Sequence, residues 1–233
     1  MGTDRYGRDV LSTVLYGART TLLVGLVAVG IALLIGTPLG IIAGMRRRWL
    51  DEMIMRASDV MLAFPALLVA VVFGAVFGAS TTTAMLAIGI GSIPGFARVA
   101  RSGTLQVMST EYIQAAKSSA QTRFAIARRH VVPNISGMVI VQCSVAFAIA
   151  VLAEAALSFL GLGTPPPVPS WGRMLQDSQS LLGVSPMLAF WPGVAIAVAV
   201  LGFNLLGDGL RDRFDPKLNH SRTSQSTSSQ VRP

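Results

Sequence analysis

The 233-residue chain is 52% hydrophobic and 13% charged, well below the roughly 25% charged residues of a typical soluble domain, so an ordinary water-soluble globule is excluded. Nineteen basic residues against eleven acidic ones give a formal charge of +8, which in a soluble protein would point to nucleic acid; here the placement of the charges points to a membrane instead. The single cysteine, Cys143, rules out an intramolecular disulfide and a cysteine-rich metal site, and within its apolar run it reads as a small hydrophobe.

The chain opens on MGTDRYGRD, which is polar and lacks the apolar stretch of a signal peptide. A first span is predicted over 22–45, with Gly36, Gly40 and Gly44 at a spacing of four, suited to close helix packing. Arg46, Arg47 and Arg48 follow it. A second span is predicted over 60–79, with Pro65 near its start and Gly74 and Gly78 as further packing positions. A third covers 84–100, holds Pro94 and runs into Arg98 and Arg101.

Between the third span and the fourth, predicted over 138–160, lies EYIQAAKSSAQTRFAIARRHVVPN, residues 111–134. Its composition is helical and basic, and a Pro-Asn stop precedes the next apolar run. A simple connection could be much shorter, so the segment reads as a folded docking element. Ala115, Ala116, Ser118, Ser119 and Ala120 are small and would let another surface approach the backbone. The competing reading is an amphipathic helix lying on lipid, a face that would favour Leu, Phe or Trp.

Glu154 is the acid set well inside a span, and reads either as a structural hydrogen-bonding group near a helix end or as an ion or proton site. The stretch 161–186 is proline-rich, and its Trp171 reads equally as an interfacial anchor and as part of a partner-binding face. A fifth span is predicted over 187–207, with Pro192. Asp208, Asp212 and Asp215 beyond it alternate with Arg211, Arg213 and Lys217, which suggests a solvated, charge-paired helix end rather than a metal cluster. Residues 220–233 are rich in Ser, Thr and Gln and are expected to be a disordered tail after a single membrane domain over 1–219.

The predicted spans are continuous apolar runs of about 17 to 24 residues, long enough for a hydrocarbon core of roughly 30 Å. Barrel strands would alternate, so the fold class is all-α, a polytopic helical bundle with five transmembrane helices. Fifteen of the nineteen basic residues fall at one set of span ends; Arg5, Arg8, Arg19 and Arg173 fall at the other. The positive-inside rule makes the first set cytoplasmic, with the N-terminus outside and the C-terminus inside, and assigns the charge to lipid headgroups rather than nucleic acid. The two lysines, Lys117 after Ala116 and Lys217 after Pro216, cannot complete a phosphate-binding loop, so any use of ATP must come from a partner.

Residues 111–134 resemble the "EAA" segment of ATP-binding-cassette importer permeases: Gln114-Ala115-Ala116, then Ala120, then His130, then Val132-Pro133. GTDRYGRD, LAEAALSFLGLG, PSWGRML and FNLLGDGLRDRFDPKL resemble further blocks of the dipeptide/oligopeptide and nickel branch, in the same order, up to about Asn219. The resemblance implies six helices, the first of which would precede this chain. It implies an inner-membrane permease subunit in a bacterium, not an enzyme and without a cofactor. Its partners would be a second homologous permease, two cytoplasmic ATPase subunits, an extracytoplasmic substrate-binding protein and membrane lipid. It implies an ATPase-coupling site at Glu111, Tyr112, Gln114, Ala115, Ala116, Lys117, Ser118, Ser119, Ala120, Arg128, Arg129, His130 and Pro133, with Tyr112 to Ala120 making the contact and Arg123 to His130 anchoring it. Gln114 stands where the motif has Glu, and Ala120 where it has Gly, so the segment is expected to be either a continuous helix or a strained turn at Ala120. Peptide import, nickel-chelate import and ion-coupled secondary transport stay open as functions.

Overall fold

Helix α1 (Val10–Met45) begins where Asp9 caps it: the Asp9 carboxylate accepts the Ser12 N–H at 2.8 Å, occupying one of the donors a helix start leaves unpaired. The computed structural model describes residues 2–4, 6–46 and 48–214, and almost all of them are helical or in short turns. At 36 residues α1 is about 54 Å long, well beyond a bilayer core, so the apolar run from Leu22 is only part of it.

The second predicted span, 60–79, straddles a break between two helices, while four other helices are each long and apolar enough to cross a membrane. Helix α2 (Arg48–Ala63) and helix α3 (Ala66–Phe77) meet at Phe64-Pro65 with a bend of 79°. Pro65 lacks an N–H, its ring clashes with the carbonyl four residues back, and it drives Phe64 out of the helical region. Pro94 and Pro192 lie inside uninterrupted helices, whereas the chain breaks at Pro65. Gly74 packs as expected, with an added Cβ 3.1 Å from Leu162, whereas Gly78 ends α3 at φ +85° and faces open space.

Helix α4 (Thr81–Met108) is capped by Ser80, which accepts the Thr83 N–H at 3.0 Å. It lies against α1 along the predicted glycine stripe. A Cβ on Gly36 would sit 2.7 Å from Phe96 Cβ, one on Gly40 2.7 Å from Ala100 Cβ, and one on Gly44 2.7 Å from Thr104 Cγ2. Two ion pairs tie α2 to the same helix: Arg101 Nη2 to Asp51 at 2.6 Å and Arg98 Nη2 to Asp59 at 2.6 Å. These pairs satisfy two charges that the sequence placed awkwardly at the end of an apolar run.

Beyond α4 come helix α5 (Glu111–Ser118), helix α6 (Arg123–Ile126), a π turn (Ala127–Val131) and helix α7 (Val132–Phe159). The expected stop at Pro133-Asn134 is absent: the helix runs on from Arg123 to Phe159. Pro133 cannot donate to the carbonyl of Arg129, and the turn widens instead, with Val132 N–H reaching Ala127 O. Asn134 Nδ2 donates to His130 O at 2.6 Å.

Helix α8 (Trp171–Ser178) and helix α9 (Met187–Phe214) complete the described chain. Trp171 is neither a lipid anchor nor an exposed contact. It is buried, its Nε1 donates to Val14 O at 3.0 Å, and its N–H donates to Thr21 Oγ1 at 3.3 Å, locking α8 onto α1. Glu154, fully buried on α7, accepts Thr21 Oγ1 at 3.0 Å and Ser158 Oγ at 2.7 Å. Both of its oxygens are engaged, which supports the structural reading of this acid. Asp208 and Asp212 are exposed and, among the described residues, form no ion pair, so that helix end is solvated without the expected pairing. Asp215, Lys217 and the tail over 220–233 lie outside the described residues.

Candidate functional site

Residues 111–134 form a short helix, a turn and a return into α7, all at the end of the bundle where α2 pairs with α4. Helix α5 divides its residues sharply between two faces. Ile113 and Ala116 are buried, at 0% and 7% exposure, in one apolar cluster with Val107, Ile126, Val131 and Ile135. Glu111, Tyr112, Gln114, Ala115, Lys117, Ser118, Ser119 and Ala120 are exposed. Spacing explains the division: positions 113 and 116 are three apart and share a helix face. Ala116, expected from the resemblance to meet a partner, turns its side chain into the chain's own core, and Ala115 points outward.

The turn after α5 is strained rather than continuous. Ala120 adopts φ +55°, a left-handed conformation uncommon for any residue but glycine. Gln121 N–H donates to Ala116 O at 3.3 Å and Ala120 N–H to Lys117 O at 3.1 Å. This pair of bonds is the Schellman ending, which satisfies carbonyls that a helix end otherwise leaves unpaired. The hydrogen bonds and the buried pair Ile113/Ile126 on either side hold Ala120 in place despite a conformational cost of about 1–2 kcal/mol. Thr122 then caps α6 by accepting the Ala125 N–H at 3.3 Å.

The basic residues lie on the return. Arg123, Arg128 and Arg129 are exposed, while His130 is half-buried with its ring 5.9 Å from that of Tyr112. Pro133 is exposed just after the π turn. Thus every site residue named from the sequence except Ala116 and His130 is exposed. Sequence reading missed Phe124, which is 76% exposed beside the turn. Its signal was a large aromatic in an otherwise polar connection, the residue type that anchors protein interfaces.

The buried face of this platform is continuous with the rest of the molecule. The cluster holding Ile113 and Ala116 runs through Phe96, Phe147 and Val151 to Trp171 at the opposite end of the bundle. A displacement of α5 therefore has packed side chains to act on along the whole length of the bundle.

That opposite end is built from the N-terminal turn, the proline-rich loop and α8. Asp4 organises the turn: its carboxylate accepts the N–H groups of Tyr6 at 2.9 Å and Arg8 at 2.8 Å, and Arg8 Nε at 2.7 Å. Burial alone would raise the Asp4 carboxyl, but the bonds from Arg8 and Tyr6 outweigh it and hold the group below its usual value. A cavity of about 380 Å³ opens here, bounded by Tyr6, Arg8, residues 166–169, Arg173 and Asp177. Arg173 is held by Asp177 at 3.2 Å and by Gln176 Oε1 at 2.6 Å.

Comparison with known proteins places this geometry. Residues 36–220 match the family model described as the binding-protein-dependent transport system inner membrane component. A dipeptide transport system permease protein from Alkalihalophilus pseudofirmus is 45% identical over 217 residues, 93% of this chain and 71% of the relative. A glutathione transport system permease protein from Pectobacterium atrosepticum is 42% identical over 218 residues, 94% of this chain and 72% of the relative. Among solved structures, a chain of the inward-facing MetNI methionine ABC transporter superposes with a TM-score of 0.75, at 16% identity, over 88% of this chain and 97% of that one. That last likeness concerns the fold.

Proposed function

Because the chain belongs to the family of inner membrane components of binding-protein-dependent transport systems, we propose that it is the membrane-spanning permease subunit of an ATP-driven importer of short peptides. It is a multi-pass membrane protein and a transport component rather than an enzyme. Short peptides are the substrate class that the names of both relatives give.

The observation that carries the reading is the two-faced platform at 111–134. One face is small, polar and exposed; the other is buried in the core that runs through the bundle. A lipid-surface helix would need a broad apolar face turned outward, and α5 turns Ile113 and Ala116 inward. The platform suits a groove on an ATPase subunit, with Tyr112, Gln114, Ala115, Ser118 and Phe124 as the contact surface and Arg123, Arg128 and Arg129 flanking it. Closure of two ATPase subunits on ATP would move α5, and the shared core would transmit that movement to α1, α4 and α7. A second homologous permease would complete the pathway, since five or six helices rarely enclose a peptide-sized channel alone. The basic end faces the cytoplasm by the positive-inside rule, which places the N-terminal turn, the proline-rich loop and α8 outside, where a substrate-binding protein docks.

Ion-coupled transport is disfavoured by Glu154, whose two oxygens are committed to Thr21 and Ser158. The test is uptake of a labelled dipeptide by proteoliposomes holding the chain with its partner permease and ATPases. Import is expected to require ATP and the binding protein and to persist with a protonophore. Uptake abolished by the protonophore at constant ATP refutes the reading.

A further inference from the structure

We propose that the cleft between the α2–α3 break and α7, floored by α4, is this chain's wall of the peptide path, where Gln142 and the free backbone groups of the break contact peptide amides; the path itself rests on the importer reading above. The break exposes unpaired backbone at membrane depth. Helices α2 and α3 reach the length and apolarity of a span only when taken together. Helix α3 has 12 residues, about 18 Å, so the break stands partway through a hydrocarbon core of roughly 30 Å. Among the described residues, the carbonyls of Leu62, Ala63 and Phe64 and the N–H groups of Ala66, Leu67 and Leu68 have no hydrogen-bond partner. These residues are all exposed, Phe64 by 55% and Leu68 by 54%. Lipid offers such groups no partner, and irregular backbone persists at this depth only where protein covers it or water reaches it.

Gln142 brings the same requirement from α7. It lies about 15 Å along the helix from Val132 and is half-buried, and among the described residues its amide has no hydrogen-bond partner. The two features border one cleft. Gly91, Gly95 and Arg98 fall at i, i+4 and i+7, on one face of α4. A Cβ on Gly95 would lie 3.4 Å from Gln142 Nε2, Arg98 is tied to Asp59 of α2 at 2.6 Å, and Gly91 has nothing within 4 Å. Helix α7 therefore bounds this face on one side and α2 on the other, with open space over Gly91. The chemistry of the walls selects the occupant. A primary amide offers donors and an acceptor together, and the break offers both N–H and C=O groups. That mixture complements the backbone of a peptide, whatever its side chains; an anion or a cation would call for one kind of partner alone.

The test places single cysteines at Phe64 and Gln142 in a Cys143→Ser parent, assembled with its partner permease and ATPases in lipid nanodiscs. Labelling by a charged, lipid-insoluble methanethiosulfonate is timed at each. The reagent needs a thiolate, which forms in water and not in hydrocarbon. Leu34→Cys on α1 and Val198→Cys on α9, both on exposed apolar faces, are the controls. Phe64→Cys and Gln142→Cys are expected to label at least about tenfold faster than either control, and the label is expected to block import of a dipeptide. Gln142→Leu removes the amide and is expected to lower that import about tenfold, the loss of one hydrogen bond to the substrate, while the complex still co-purifies with its ATPases. Labelling at both positions no faster than at the controls, or full import by Gln142→Leu, overturns the proposal. So does labelling that appears only after the partner permease is removed, since the face is then the seam between the two subunits. ATP-driven import by the Cys143→Ser parent, measured in parallel, separates the two readings: import without the labelling sinks this wall alone, and no ATP-driven import sinks the importer reading and the path with it.

Discussion

The adjacent alanines of α5 make a sharp test of the coupling platform. Ala115 is exposed and Ala116 is 7% exposed, packed in the cluster with Ile113, Ile126 and Val131. Ala116→Arg would drive a long charged side chain into that cluster, whose described members are all apolar. A charge left buried and unpaired costs about 3–5 kcal/mol, more than a two-turn helix can retain, so α5 is expected to detach from the bundle even with no ATPase present. Ala115→Arg adds the same charge on the solvent side, where substitutions usually shift stability by less than about 0.5 kcal/mol. It should leave α5 folded and act only when a partner docks. Hydrogen exchange over 111–122 in the isolated permease, followed by ATPase co-purification and import, separates the two. Ala116→Arg is expected to lose protection in the permease by itself. Ala115→Arg is expected to keep protection and lose ATPase association and import. Native protection in Ala116→Arg, or normal coupling in Ala115→Arg, would refute the assignment of faces and with it the docking role of α5.

Gly40→Ala is expected to destabilise the α1–α4 contact by about 1–3 kcal/mol, because its Cβ would lie 2.7 Å from Ala100 Cβ and 2.9 Å from Arg101 N. Gly30→Ala, with nothing within 4 Å, is the control, and equal thermal unfolding of the two variants would contradict the packing. Ala120→Gly should relieve the left-handed strain and stabilise the turn after α5 by about 1 kcal/mol, read as slower proteolysis between Ser119 and Arg123; faster cleavage would contradict it. The Asp4 carboxyl titrates below its unfolded value, so its stabilisation of the N-terminal turn is complete above about pH 4 and fades as pH falls through the lowered value. Exchange of the Tyr6 and Arg8 amides should rise only in that acid window, and Asp4→Asn should abolish the dependence.

Much of this protein follows from the order of its residues. Long apolar runs cannot be buried in one soluble core, so the all-helical membrane bundle was legible from composition, as was the glycine stripe of α1, because spacing alone puts Gly36, Gly40 and Gly44 on one face. The platform at 111–134 was legible as a polar, basic interruption with a family pattern. The tertiary structure decided which way that platform faces. The sequence shows Ala115 and Ala116 as equivalent small residues; only the burial of Ile113 and Ala116 in the cluster that also holds Ile126 and Val131 turns one inward and leaves the other outside. It decided the conformation at Ala120, which depends on whether the chain beyond can return to the bundle. It turned Trp171 from a surface residue into a buried lock on Val14 and Thr21, and it joined Glu154 to a helix 133 residues away. Local spacing governs which residues share a face of one helix. Which face is buried depends on partners distant in sequence, and only the folded chain brings those together.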